Sequence, residues 1–284
     1  MPNPKHSTGL RIGIVNPLTL VGNEIKTILR ERSFPLDRLV LLDSSGKTAG
    51  ALTEIGDEPA VVTQISDDEL EDLDLVFFCG RGEWNREWLQ RADDVHFLAV
   101  DLSQPSMAED SRLVVAGINL EELVDVDERV LVSPHPIAIP IALILHQIQL
   151  LSKVELCTAT VVQPASAFEQ EGVEELAHQA MSVLNVKSMP HDVFDRQLAF
   201  NLYPAVEHQE EYIVDQVRAL TAPKSEMALL VTQGTIFHSH TFSLFVKTSG
   251  APAVEQVIET LKANPAIAFA EGDQQFGTTD AAGK

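Results

Sequence analysis

Short apolar runs recur through the first half of the chain, each followed by a polar turn and a stretch with helical spacing. Leu10 to Val15 (LRIGIV) predicts a buried strand, and Asn23 to Arg32 a helix with Val21, Ile25, Ile28 and Leu29 on its inner face. Phe34-Pro35 ends that helix and Arg38 to Leu42 (RLVLL) predicts a second strand. Unbroken Val/Leu runs, as opposed to strict alternation, suit parallel strands covered on both faces. Asp43 to Pro59 reads as a small, polar, glycine-containing connection, followed by a short strand at Ala60 to Thr63 and another at Leu75 to Cys79. A helix at Trp84 to Ala92 and a strand at Val95 to Asp101 continue the alternation, which predicts a doubly wound α/β sheet.

The rhythm changes near residue 150. Glu155 to Gln163 is a β-branched strand, and Glu169 to Leu184 a helix with Val173, Leu176, Ala177, Ala180 and Leu184 inward. Tyr212 to Leu220 predicts a shorter helix, Met227 to Thr232 and Thr241 to Lys247 strands joined by QGTIFHSH, and Glu255 to Lys262 a last helix. Widely separated strands with intervening helices predict an α+β second domain. A chain of 284 residues suits two domains, here 1–133 and 134–284.

The junction, Leu131 to Gln149 (LVSPHPIAIPIALILHQIQ), organises the whole reading. A strand (Val130 to Val132) breaks at Ser133-Pro134-His135-Pro136, and an apolar helix follows Pro140 over Ile141 to Leu151. In an α/β fold such a turn lies at the carboxyl end of the sheet beside unbonded helix N–H groups, where a nucleophile is well placed. None is present: Pro134, Pro136, Ile137 and Ala138 carry no reactive atom, and His135 has no Ser or Cys neighbour to activate.

Charge narrows the partners. With 42 acidic against 20 basic residues and a net charge of -22, little basic surface is left to displace counterions, which excludes nucleic acid. Hydrophobic content of 45% is that of a folded chain. Cys79 and Cys157 sit inside apolar runs (LVFFCG and LCTATVV), which predicts packed thiols and no disulfide. Met1 to Thr8 reads as a loose arm without an apolar signal, and the longest apolar run, Pro136 to Leu151, is interrupted by Pro140, His146 and glutamine. The expectation is a cytoplasmic protein that does not enter a membrane. The acidic run Ser66 to Leu73 (SDDELEDL) has no histidine nearby and reads as a solvated face, with no metal expected.

Two motifs carry alternative readings. Asn16-Pro-Leu-Thr-Leu-Val-Gly22 lies where a dinucleotide fold keeps its glycine loop, but only Gly22 remains; Pro17 lacks an N–H and the side chains of Leu18 and Thr19 take up phosphate space. It is either an ordinary turn or a weakened nucleotide site. Asp43, further along, stands either where a carboxylate would bond a ribose hydroxyl or as a surface residue at a strand end. His238 and His240 flank Ser239 at the corner before a strand; two neutral ligands fall short of a zinc site, and one of them reads instead as an acid/base residue.

Taken together the segments LRIGIVNPLTLVGNEI, ERSFPLDRLVLLDSS, RLVVAGINLEEL, VVQPASAFEQEGVEELAHQ, RQLAFNLYPAVE and FHSHTFSL resemble the aspartate-semialdehyde dehydrogenase family over nearly the whole chain. The resemblance implies a Rossmann-type NAD(P)-binding domain followed by a catalytic and dimerisation domain, homodimerisation, and a place in amino-acid biosynthesis. It implies NADP or NAD as cofactor, thioester chemistry on a cysteine, and a histidine base. Residue by residue, the cysteine turn falls on Ser133 to Ala138, with Pro136 in the place of the nucleophile, while the base falls on His240. The glycine loop falls on Asn16, Thr19 and Gly22, and the substrate segments on Gln163, Glu210 (with Glu211) and Gln233, the last in place of an arginine. A phosphate-binding arginine falls near Met107, and Ala165-Ser166-Ala167-Phe168 puts Phe168 where small residues surround the family's site. Family chains also run past TTDAAGK through a further strand and helix, so the resemblance implies a second domain shorter than usual, with apolar surface left to cover.

Two functions follow. One is a member lacking the cysteine and hence the dehydrogenase activity, with a binding or assembly role as a homodimer or in a mixed dimer with an active relative. The other is an oxidoreductase acting with NAD(P) on a semialdehyde or other small substrate, with His240 or His135 as acid/base.

Overall fold

The computed structural model describes residues 9–56, 58–103, 112–120, 123, 129–205, 209–221, 225–270 and 272–282. It divides into two compact units, residues 1–114 with 124–134, and residues 115–123 with 135–284. The first unit ends at Pro134, and the short segment 115–123 belongs to the second unit.

The first unit runs β1 (Leu10–Val15), α1 (Leu20–Glu31), β2 (Leu36–Asp43), β3 (Leu52–Ile55), β4 (Glu58–Val61), β5 (Thr63–Gln64), α2 (Asp67–Leu70), β6 (Leu75–Phe78), α3 (Gly82–Leu89), α4 (Ala92–Val95), β7 (Leu98–Asp101), β8 (Arg112–Leu113) and β9 (Val130–Val132). Among the described residues its main sheet has seven strands in the order β5-β2-β1-β6-β7-β9-β8, all pairs parallel. Successive residues feed opposite cores. Ile12, Ile14 and Leu41 join Leu29 and Cys79, whereas Val15, Val40 and Leu42 join Phe78, Leu89 and Phe97. Two covered faces are what the unbroken apolar runs required. Strand order reverses between β1 and β6, and the crevice beyond their carboxyl ends is where such sheets bind ligands.

Three details depart from expectation. The polar connection after β2 contains a hairpin, β3 paired antiparallel with β4. The helical stretch after β6 is two helices, interrupted at Gln90-Arg91, and the second ends where His96 adopts a left-handed conformation (φ 70°). In α1 the inner face is set by Gly22, Lys26 and Leu29, while Val21 and Ile28 are exposed. The hairpin explains the last difference, since Thr53 on β3 gives Lys26 a hydrogen-bond partner and lets it turn inward.

The second unit continues with α5 (Ala138–Gln149), β10 (Val154–Gln163), α6 (Glu169–Leu184), β11 (Leu202–Pro204), α7 (Glu210–Leu220), β12 (Glu226–Gly234), β13 (Thr241–Thr248), α8 (Val254–Ala263) and α9 (Thr278–Ala281). α5 starts before Pro140 because a first-turn residue has no intrahelical acceptor for its N–H, so proline costs nothing there. The mixed sheet has the order β11-β12-β10-β13, with β10 parallel to β12 and antiparallel to β13. One of its faces buries Cys157, Ala159, Val161 and Val231 with Ile141 and Leu145 of α5 and Ile213 and Val217 of α7. The other face presents Thr158, Thr160, Leu230 and Phe245, with Phe245 63% and Leu230 51% exposed.

α6 spans the residues expected, but its buried face is more polar than expected. Leu184 is exposed, and Glu175 and Gln179 are buried beside Gly172 and Leu176. They hold the irregular chain that follows. Glu175 accepts the N–H groups of Asp192 (2.8 Å), Val193 (2.7 Å) and Phe194 (3.2 Å), and Gln179 Oε1 those of Leu198 (2.7 Å) and Ala199 (3.2 Å). Buried backbone donors need acceptors, and two α6 side chains supply them in place of a sheet.

Candidate functional site

In the first unit the crevice at the β1/β6 reversal is lined by the turn after β1. Asn16 has φ 57°, a left-handed conformation that asparagine tolerates better than other side-chain-bearing residues, so the backbone that glycine would supply persists. Its amide bridges the crevice: Nδ2 donates to the Cys79 carbonyl (2.9 Å) and reaches Asn85 Oδ1 (3.1 Å), and Oδ1 accepts from the Ser44 N–H (3.1 Å). Ser44 Oγ donates to Asn85 Oδ1 (2.7 Å), and Asn85 Nδ2 to the Cys79 carbonyl (2.8 Å). Across from them, a Cβ at Gly80 (φ 81°) would stand 3.4 Å from both Asn16 Nδ2 and Thr19 Cγ2. The chain's own polar side chains fill the crevice to contact.

Thr19 caps α1, its Oγ1 accepting the Gly22 N–H (3.1 Å), so a donor at the helix start is already satisfied. Gly22 keeps the role of close approach, because a Cβ there would lie 2.7 Å from the Asn16 carbonyl oxygen and the Pro17 Cα. Leu18 and Val21 are exposed beside it. Asp43, the residue at the end of β2, is fully buried, so it is not the surface residue of one reading. Its carboxylate accepts Ser45 N–H (3.0 Å), Ser45 Oγ (2.6 Å), Thr48 N–H (2.9 Å) and Ala49 N–H (3.0 Å). Burial pushes its pKa up, and the hydrogen bonds from Ser45 and Thr48 outweigh this and bring it below the ordinary value.

Asp101, at the carboxyl end of β7, was not singled out by sequence. It is buried, accepts from Ser103 N–H (2.9 Å) and Oγ (2.6 Å), and its Oδ2 has no partner among the described residues. Burial pushes its pKa up against the opposing effect of Ser103. The signal available was a carboxylate ending a buried strand. Met107 lies outside the described residues.

In the second unit the turn before α5 places Pro136 on the surface and leaves His135 half-buried. The His135 N–H donates to Gln216 Oε1 (2.7 Å), and its Nδ1 accepts the Ile137 N–H (3.1 Å), which leaves the ring proton on Nε2. Burial lowers the His135 pKa to about 4, a hydrogen bond with Gln209 opposing it. His240 is also lowered to about 4, by burial first and then by the charge of His135, so the two rings are near one another and neutral at pH 7. His238 is exposed, and the two histidines precede β13, separated by Ser239 with φ 69°, so strand alternation does not align them. Among the described residues no three His, Cys, Asp or Glu side chains converge on a metal position.

Gln163 and Gln233 are register partners across β10 and β12. Gln233 is buried, its Nε2 donates to the Gln163 carbonyl (3.1 Å), and its Oε1 has no partner among the described residues. Tyr203, its register partner on β11, has a buried hydroxyl likewise without a partner among the described residues and its ring 4.9 Å from the Arg196 guanidinium. Burial raises the Tyr203 pKa. An open amide acceptor and a phenol hydroxyl can receive a polar ligand, and neither is a nucleophile. Glu210 and Glu211 begin α7, next to Gln209 and where a helix start favours anions. Tyr203, Gln209 and Gln216 were missed, since uncharged polar residues in amphipathic stretches carry no distinctive spacing. Phe168 does not fill the site: its ring packs edge-on against Phe194 (5.3 Å), in the core with Leu176 and Leu198.

Two family models match, a semialdehyde dehydrogenase NAD binding domain at residues 11–126 and a semialdehyde dehydrogenase dimerisation domain at residues 145–283. The chain belongs to the semialdehyde dehydrogenase family. Similar members include an aspartate-semialdehyde dehydrogenase of Rickettsia bellii, 24% identical over 87% of this chain and 77% of that protein. A USG-1 protein homolog of Azotobacter vinelandii is 29% identical over 94% of this chain and 82% of its own. The crystal structure of aspartate semialdehyde dehydrogenase II from Vibrio cholerae superposes with a TM-score of 0.90 at 22% identity, over 97% of this chain and 85% of that one, and so shares the fold. Among the described residues no helix is long and apolar enough to cross a membrane.

Proposed function

We propose that this chain keeps the semialdehyde dehydrogenase framework without its thioester chemistry and acts as a homodimeric binding or assembly protein. The observation that carries the reading is the turn before α5, where the position aligned with the family nucleophile is Pro136, exposed and without a reactive atom. Neither thiol substitutes for it. Cys79 and Cys157 are fully buried in separate cores, and burial raises Cys157 to about 11, far from the thiolate an attack requires. His240, on the base position, has a pKa near 4, well below what efficient proton abstraction at neutral pH calls for.

The residues around the glycine loop do not fit a dinucleotide well. Asn16 and Asn85 bridge the crevice, Thr19 holds the Gly22 N–H, and Asp43 has its oxygens engaged by its own loop. Binding of NAD or NADP is correspondingly weak on this reading. The buried open acceptor of Gln233 beside Gln163 and Tyr203 supports a polar small-molecule site in the second unit. The matched dimerisation domain and the exposed Leu230 and Phe245 support a dimer through the sheet, which also allows a mixed dimer with an active relative.

A second reading keeps an NAD(P)-dependent oxidation of a small semialdehyde, and rests on His240 and the NAD binding domain match. Calorimetric titration separates the two. No heat with millimolar NAD or NADP is the expected result, and saturable binding together with phosphate-dependent oxidation of aspartate semialdehyde would overturn the first reading.

A further inference from the structure

The inward turn of Lys26 has no role in the crevice or in the second unit. It lines an open cleft of about 650 Å³ between α1 and the β3/β4 hairpin, wholly within the first unit, together with Asn23, Thr27, Arg30, Thr53 and Glu54. Lys26 is only 7% exposed. A lysine at a surface ordinarily extends its stem over apolar groups and keeps the ammonium in water, whereas this one is largely withdrawn from solvent. Its Nζ donates to Thr53 Oγ1 (2.9 Å), and among the described residues no carboxylate pairs with it. An ammonium has three donors, so a single neutral hydroxyl neither satisfies nor neutralises it. Burying an unpaired cation is costly, and burial lowers the Lys26 pKa accordingly.

Arg30, one helical turn further along the same face, supplies a second cation that no described carboxylate pairs with. The hairpin turn closes on it, since a Cβ at Gly56 (φ 64°) would lie 3.5 Å from Arg30 Cδ. A buried ammonium with donors to spare and a guanidinium on one wall of a cleft match the planar or tetrahedral oxygens of an anion.

We propose that the cleft between α1 and the β3/β4 hairpin binds a small oxyanion-bearing molecule, a carboxylate or a phosphate ester, with Lys26 as its central contact and Arg30 as its second. Glu54 on the opposite wall favours a ligand that also carries a hydroxyl or ammonium group. The site is separate from the glycine loop, so it stands or falls independently of the loss of thioester chemistry.

The full chain is titrated calorimetrically with inorganic phosphate and, separately, with succinate at constant ionic strength set by sodium chloride. Saturable binding of either is expected; phosphate alone points to a phosphate ester, and succinate alone to a carboxylic acid. Lys26→Met weakens binding roughly tenfold or more, since it removes a charge-assisted hydrogen bond, and its unliganded melting temperature equals or exceeds that of the unsubstituted protein. Arg30→Gln, at an exposed position, weakens binding several-fold. No saturable binding of either anion, or binding that survives both Lys26→Met and Arg30→Gln, overturns the proposal.

Discussion

His135 and His240 show how one environment sets the chemistry of a position. Burial strips water from the imidazolium of each, and their proximity makes charging both less favourable still, so the folded-state values fall from 6.5 to about 4. The unfolded chain then binds more protons than the folded one between these values. The stability the neutral rings contribute is fully present above pH 6.5 and is lost as pH falls towards 4. Chemical unfolding followed across pH 4 to 7 is expected to show this loss, and His240→Gln to flatten it; an unchanged slope in the variant would place the titration elsewhere. Single residues also show what sequence could convey. Asn16 was legible as a lost glycine, but its amide bridging Cys79, Ser44 and Asn85 was not, because those partners lie far apart in the chain and meet only across β1, β2 and β6.

At the scale of elements, apolar spacing recovered the longer strands and helices, missed the short strands β3, β8 and β11, and failed where polar groups face inward. β1 and α6 fall on the residues expected, yet α6 buries Glu175 and Gln179, which spacing assigns to solvent. Glu175→Ala would leave the N–H groups of Asp192, Val193 and Phe194 without their acceptor, and is expected to destabilise the protein by roughly 3 kcal/mol in denaturant unfolding. A loss under about 1 kcal/mol would mean that water replaces the carboxylate. The hairpin β3/β4 was missed because its strands, LTEI and EPAV, are only four residues long inside a connection read as small and polar, and with it went the reason for burying Lys26. Apolar surface needing cover was expected of the second domain, and the face it occupies, with Leu230 and Phe245 exposed on the sheet, needed the structure. Phe245→Glu places a charge on that face and is expected to shift a dimer towards monomer by sedimentation while leaving the fold intact; an unchanged dimer would locate the interface elsewhere.

For the molecule as a whole, the two-domain α/β and α+β architecture was readable from rhythm alone, and the family match extends across both halves. The candidate site was less readable, because its meaning lies in what each side chain touches. The proposal that Pro136 stands in the nucleophile's place comes from the sequence, where no environment makes a proline ring a nucleophile. The burial of Cys79 and Cys157, which supports that proposal, needed the three-dimensional cores. The account rests on the absence of a covalent step, and a single-turnover experiment tests it most directly. Stoichiometric protein is mixed with aspartate semialdehyde and NADP in phosphate-free buffer, where an acyl-enzyme would accumulate, with NADPH absorbance followed and the intact protein mass recorded. The account predicts no NADPH above the protein-free background and an unchanged mass; one equivalent of NADPH with an adduct on Cys79 or Cys157 would contradict it.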